Sequence, residues 1–320
     1  VEFITAALGL VMILLILSGH LQVWHIFGVA IVAGMVRVFQ MPSAQSLVAD
    51  TLPQERIGNG AAFNSVGMNL AMLLGPLIGG VLFKSYGPEG AYAMITGLYC
   101  LSGFAALSIR LDKKPATAGR EPVLRSIISG LKYVKGEQII WGTLMVAIII
   151  EFFGWTFHTS LIPSFARDVL GTDSAGLGVL MFAFGAGALG SSLTWAMVRN
   201  LRHVGKLMFA AALLWHISIL AISTTESFYV SMAILAFIGM GFGSIQVFTL
   251  AALLRAADAG YRGRVISLRS LAIYSFAIGS MSTGWLAVAW GPPMAARVIG
   301  IMGIILILTL AMFTPKLRRL

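Results

Sequence analysis

Ten apolar stretches fill this chain, at 3–19, 22–49, 58–83, 91–109, 139–165, 174–198, 207–223, 228–254, 266–290 and 294–313. Each reaches or approaches the ~20 residues that carry an α-helix across a bilayer core. Ten such helices cannot all be buried inside a soluble domain of 320 residues. In lipid, by contrast, a helix satisfies its own backbone hydrogen bonds and can face hydrocarbon. The chain therefore reads as an all-α membrane protein. A mean hydropathy of +0.91 and 11% charged residues, against about 25% in soluble domains, agree with that. So do 36 glycines, which let membrane helices approach closely. Ala183, Gly187 and Ser191, for example, set small side chains at every fourth position of one stretch.

The last four stretches repeat the first four at a fixed interval. Gly80, Gly87 and Pro88 recur 204 residues later as Gly284, Gly291 and Pro292, and the same shift carries Gly75 to Gly279 and Ala91 to Ala295. The stretches at 139–165 and 174–198 have no counterpart; theirs would precede Val1. The simplest reading is a duplicated bundle of six plus six helices, with ten of twelve present and the first two missing. Parallel internal repeats of this kind are a transporter architecture. Three segments follow: an N-terminal bundle at 1–111, a connector at 112–138 and a C-terminal bundle at 139–320.

The net charge of +10 invites a nucleic-acid reading, which its distribution excludes. Counting alternate loops as one side, eighteen basic residues fall together, among them Arg56, Arg262, Arg264 and Arg269. The opposite side holds Lys84, Arg167 and Arg297, while Arg37 sits within a stretch. This asymmetry follows the positive-inside rule, so both ends of the chain are expected on the cytoplasmic side of the membrane. The connector opens with Lys113, Lys114, Pro115 and Gly119 and then turns amphipathic. Leu124, Ile127, Ile128, Leu131 and Val134 recur at helical spacing opposite Arg125, Ser129, Lys132 and Lys135. That pattern predicts a helix lying in the cytoplasmic interface, with a helix for a soluble partner as the alternative.

Few ionisable groups lie inside the stretches, and each costs about 2.5–3.5 kcal/mol at the midplane on insertion scales. Arg37 either holds an anionic group and modulates a neighbouring carboxylate or locks two helices by capping and pairing. Glu151, Trp155 and His158 share one helical face at i, i+4 and i+7. They read as a stepwise proton path with a stacking ring, or as a satisfied Glu with a His near the outer interface. Glu2 is a second carboxylate at the start of the first stretch, or a terminal charge. Gln246 is a hydrogen-bonding group for substrate, or polar glue between helices. Gly75, Pro76, Gly79 and Gly80 make a helix that bends and packs closely. His20, His25, His203 and His216 have no partners at metal-ligand spacing, and Asp112, Asp168, Asp173, Glu226 and Asp258 read as solvated loop charges. Cys100 is the single cysteine. No nucleotide loop, nucleophile–base set or zinc pattern occurs, so neither an enzyme nor a cofactor is expected.

Several stretches carry a resemblance. Gln40 and Pro42, then Asp50, Pro53, Glu55 and Arg56, are similar to the end of the fourth helix of the major facilitator superfamily and its loop. Asn59 and Asn64, then Gly75, Pro76, Gly79 and Gly80, resemble its fifth helix. Ser129, Tyr133 and Val134 resemble its interfacial helix, Pro163, Arg167, Asp168 and Gly171 its seventh, Gly178 to Gly187 its eighth, and Arg262, Gly263 and Arg264 the loop before its eleventh. Within the superfamily the chain is most similar to the branch of macrolide-efflux proteins and the enterobactin exporter. It departs at Gln40 and Ala44, where helix four often carries Asp and Arg, and the Gly-rich loop between helices two and three would precede Val1.

The resemblance implies that helices one, four, seven and ten line a central cavity. Arg37, Gln40, Glu151, Trp155, His158 and Gln246 then lie on cavity-lining helices. It also implies that the Gly-Pro element marks an exporter exchanging substrate for protons, and that Arg56, Arg262 and Arg264 belong to cytoplasmic gating loops. The function expected is secondary-active, proton-coupled efflux of a small hydrophobic or amphipathic compound by a monomer in the lipid bilayer. The alternatives are a facilitator or importer of lipid or nutrient, and a non-transporting truncated scaffold.

Overall fold

Gly87 and Gly291 turn the backbone the same way. Their φ, ψ angles are 71°, −175° and 82°, 159°, a corner of backbone space that is essentially glycine's alone. A proline follows each, placed where its missing N–H costs nothing because the first amides of a helix have no partner. The 204-residue repeat is thus visible in local geometry as well as in spelling.

A computed structural model describes residues 1–51, 53, 56–109, 123–198, 201–258 and 260–320. Helices run in the order α1 (Glu2–Leu17), α2 (Val23–Thr51), α3 (Ile57–Leu107), α4 (Val123–Gly136), α5 (Gln138–Ile149), α6 (Ile162–Asp168), α7 (Ser174–Met197), α8 (Val204–Ile222), α9 (Phe228–Ala256), α10 (Arg262–Ile273), α11 (Ser275–Trp290), α12 (Pro292–Phe313) and α13 (Pro315–Arg319). No strand occurs among the described residues. Eight helical stretches are long and apolar enough to cross a membrane, and α1 is a shorter apolar helix. One of the eight, Val66–Leu107, has 42 residues, about twice what a single crossing needs. Its turn at Gly87 divides it in two, which accounts for all ten apolar stretches.

The chain forms two compact units, Val1–Ala118 and Gly119–Leu320. In the first, α1 lies along the second half of α3. Phe3 meets Phe104 edge-on at 5.3 Å and is seated against Gly103, while Gly9 faces Thr96. In the second, the corresponding pair, α8 and α12, packs through Gly300 and Gly303 against His216 and Leu220. The unit's closest contact joins α7 and α9. Gly187 faces the Ala236 carbonyl, and Gly239 and Gly243 face the carbonyls of Phe184 and Ala188. Lipid tails are as apolar as leucine, so helices associate in a bilayer by close packing of this kind. The small-residue stripe through Gly187 therefore works as its spacing predicts.

The amphipathic connector is helical from Val123 and packs against α5 and α10 within the second unit. Val134 is buried with Ile140, Leu144, Leu253, Ala257, Val265 and Leu268, and Gly130 lets Leu268 approach. Leu131, expected on the same apolar face, is exposed, because the stripe through Gly130 and Val134 makes the contact. Lys113, Lys114, Pro115, Gly119 and Asp112 lie outside the described residues, as do Glu55 and the side chains of Pro42, Asp50, Asn59, Leu124, Arg125, Ile127 and Ile128.

Asp258 is more than a solvated charge. The Tyr133 hydroxyl donates to its carboxylate at 3.0 Å and accepts from its amide at 3.0 Å, and Tyr133 stacks on Tyr261 at 4.1 Å. Asp173 likewise caps α7, accepting from the Gly176 amide at 3.0 Å. Because the Tyr133–Asp258 pair is exposed, Tyr133→Phe is expected to cost under about 1 kcal/mol. It should, however, speed limited proteolysis between the units; unchanged cleavage would show that the ring stack alone holds α4.

Candidate functional site

The helix that begins as α5 does not stay α-helical. Ile150–Trp155 and Phe157–Leu161 are wound as π-turns before α6 resumes. Three local features favour the wider winding. Pro163 has no amide to return to the preceding turn. The Thr156 hydroxyl bonds the Phe152 carbonyl at 2.7 Å. Gly154 leaves room for the Trp215 ring, which would lie 2.9 Å from a Cβ there. On the other side Gly279 of α11 seats against the Phe152 carbonyl and Thr156. π-turns concentrate at functional sites.

Glu151, 8% exposed, lines a gap with Gln246, Thr249, Arg269, Trp215 and Phe242. The gap measures about 10 Å³, room for a single water. Arg269 Nη2 donates to Gln246 Oε1, and Arg269 lines the same gap as Glu151 without a direct ion pair to it among the described residues. The Trp215 Nε1–H is buried there with no partner among the described residues. Glu151 and Arg269 are therefore opposite charges across a polar, water-sized space inside an apolar bundle, the arrangement that makes an intramembrane charge tolerable.

Trp155 and His158 belong to an aromatic cluster that adjoins the gap at Phe242. Trp155 stacks on Phe242 at 5.1 Å and on His158 at 4.7 Å, and His158 lies 4.1 Å from Phe184. The His158 Nδ1 is buried without a partner among the described residues. Glu151 and Gln246 thus share one site, and Trp155 and His158 share an adjoining aromatic cluster. His216 is fully buried and bonded to the Ala212 carbonyl at 2.9 Å, a packing role.

The other expected site residues stand apart from this cluster. Arg37 is exposed on α2, with Gln40 half-buried one turn on, and Glu2 is half-buried at the start of α1. Arg37 has no side-chain partner among the described residues. Pro76 lies within α3, with Gly80 one turn further on. Among the described residues, no atom lies within 4 Å of where a Cβ would stand on Gly75 or Gly79. Arg56 immediately precedes α3. Arg262 opens α10 and donates to the Ala257 carbonyl at 3.3 Å, and Arg264 lies 5.2 Å over the Tyr261 ring.

Arg269 requires a correction. Counted by loop with the basic residues of one side, it lies within α10 and turns inward to Gln246. The signal was its position inside the apolar stretch at 266–290. Phe184, Trp215 and Phe242 carried no signal, since a ring on an apolar helix looks the same in a core and in a site.

A family model described as transmembrane secretion effector matches residues 1–318. The chain belongs to the transmembrane secretion effector family. This family lies within the major facilitator superfamily, as the Gly-Pro element and loop motifs imply. The multidrug efflux pump Tap of Mycolicibacterium fortuitum is 24% identical over 293 residues, covering 90% of this chain and 70% of that protein. The multidrug resistance protein MdtG of Enterobacter lignolyticus is 24% identical over 208 residues, 65% of this chain and 47% of that protein. The chain thus spans about half of MdtG. Among solved structures, a POT family transporter in complex with a thioalcohol-conjugated peptide gives a TM-score of 0.74 at 14% identity, covering 99% of this chain and 81% of that one. A bacterial homolog of the human lysosomal transporter Spinster gives 0.61 at 14% identity, covering 87% and 74%. This secretion effector therefore has the major facilitator fold, and its family and fold are those of membrane transporters rather than enzymes.

Proposed function

We propose that this transmembrane secretion effector exports small hydrophobic or amphipathic compounds, including drugs, by alternating access coupled to proton entry. The observation that carries the reading is the buried Glu151 facing Arg269 and Gln246 across a water-sized gap. A proton arriving on Glu151 removes the negative charge that balances Arg269, so Arg269 and Gln246 are freed to rearrange. Because Gln246 sits on α9 and Arg269 on α10, that rearrangement reaches two helices at once. The neighbouring, half-buried rings of Trp155 and Phe242 offer stacking surfaces for a flat or cationic substrate. The efflux pumps among the relatives support export as the direction. In this reading the protein works as a monomer in the bacterial inner membrane, with both ends of the chain cytoplasmic, in keeping with the basic bias of alternate loops. Arg56, Arg262 and Arg264 belong to the cytoplasmic gate, and Gly75, Pro76, Gly79 and Gly80 give α3 the shape change that export needs.

The test is flux of a hydrophobic cationic dye into liposomes holding the full chain, under an imposed pH gradient. Uptake that follows the gradient and collapses with a protonophore is expected. Dye movement indifferent to the gradient overturns proton coupling.

A further inference from the structure

Within the second unit, α7 and α8 both lean on α9 but hardly on each other. The space between them is a cleft of about 500 Å³, within the range of ligand pockets. Its walls include Ala186 and Gly190 of α7 and Ala210 and Leu214 of α8, over a floor of Met240 and Phe248. It stays open because its α7 wall is built of small residues; no atom comes within 4 Å of a Cβ placed on Gly190. The lining is overwhelmingly apolar, and its polar groups are bonded, the Trp195 indole N–H donating to the Ser244 hydroxyl at 2.8 Å and Ser191 and Thr194 to backbone carbonyls.

Depth and charge identify an occupant. From Ala186 to Trp195 the α7 wall rises about 13 Å at 1.5 Å per residue, close to half the ~30 Å hydrocarbon thickness. The cleft is therefore as deep as one leaflet. It runs toward the start of α8, where Lys206 lies one turn before Ala210 on the same stripe. Lys206 and Arg202 are both exposed and have no acidic partner among the described residues. Arg255 adds a third cation at this end, donating to the Leu201 carbonyl at 3.0 Å. An apolar slot one leaflet deep, ending at unpaired cations, matches a chain attached to an anionic headgroup.

We propose that the α7–α8 cleft binds an acyl chain of an anionic phospholipid, with the headgroup phosphate held by Lys206 and Arg202. Neither the transport site nor its proton chemistry is involved, so this site stands or falls separately from the proposed function.

Trp195 provides the readout. The full chain is placed in nanodiscs carrying phosphatidylglycerol or phosphatidylcholine brominated on the acyl chain. The Trp195 signal is taken as the difference from Trp195→Phe. Brominated phosphatidylglycerol is expected to quench that signal at severalfold lower mole fraction than brominated phosphatidylcholine. Gly190→Leu and, independently, Ala210→Phe fill the slot and should abolish the quenching. The double change Lys206→Gln with Arg202→Gln should erase the preference between lipids while leaving quenching at high mole fraction. Equal quenching by the two lipids in the unaltered protein overturns the proposal. So does full quenching in a correctly folded Gly190→Leu or Ala210→Phe protein.

Discussion

Glu151→Gln is expected to abolish gradient-driven transport, lowering it by more than about tenfold, while dye binding stays within about twofold. Glutamine keeps the volume of the carboxyl and can hydrogen-bond Gln246 or a water in the gap, so the fold has no reason to change. What it lacks is an ionisable oxygen. The helix would then be left in the state that a proton on Glu151 produces, with Arg269 unbalanced. Arg269→Gln gives the complementary result: it strands Glu151 as a buried carboxylate and should lower the thermal midpoint in detergent. The double variant should recover part of that loss, because two neutral amides no longer carry an uncompensated charge. Flux in liposomes at matched protein density is the measurement. Glu151→Gln protein that still concentrates dye against a pH gradient would remove Glu151 from the mechanism.

The largest stability effect is expected at Gly239. A methyl there would meet the Phe184 carbonyl oxygen and the Ala188 amide nitrogen. Both are helix backbone, which has no rotamer to yield. The reciprocal contact, Gly187 against the Ala236 carbonyl, closes the same face from the other helix. Gly239→Ala must therefore push α7 and α9 apart, at a cost of about 2–3 kcal/mol by analogy with overpacked cores. The displacement passes through Phe184 to His158 and Trp155, so tryptophan fluorescence should shift as well. Gly190→Ala is the control: it faces open space and should stay within about 0.5 kcal/mol. If the two alanine variants unfold at the same temperature, the glycine contact is not what holds this helix pair.

The apolar stretches were legible because length and hydropathy alone decide whether a helix can cross a bilayer. Pro88 and Pro292, each following a glycine, announced two equivalent corners, and the positive φ at Gly87 and Gly291 bears that out. Arg269 was misread because loop counting ranks a residue by its neighbours in sequence, whereas a long side chain near a helix end can turn inward. The π-turns around Glu151 were invisible for a different reason. They depend on Trp215 and Gly279, from helices far along the chain, which press on Gly154 and Thr156.

Sequence by itself determined that this chain lives in a membrane and that its helices turn at two equivalent glycine corners, Gly87 and Gly291. Those properties are local: each helix must satisfy its own backbone in lipid, and each corner needs its own glycine. Only the tertiary structure decided which polar groups meet. Glu151, Gln246 and Arg269 come from three helices, and their meeting depends on how each helix is rotated about its axis. Contacts such as Gly187 with Ala236 and Gly279 with Phe152 set that rotation, and no single stretch records it.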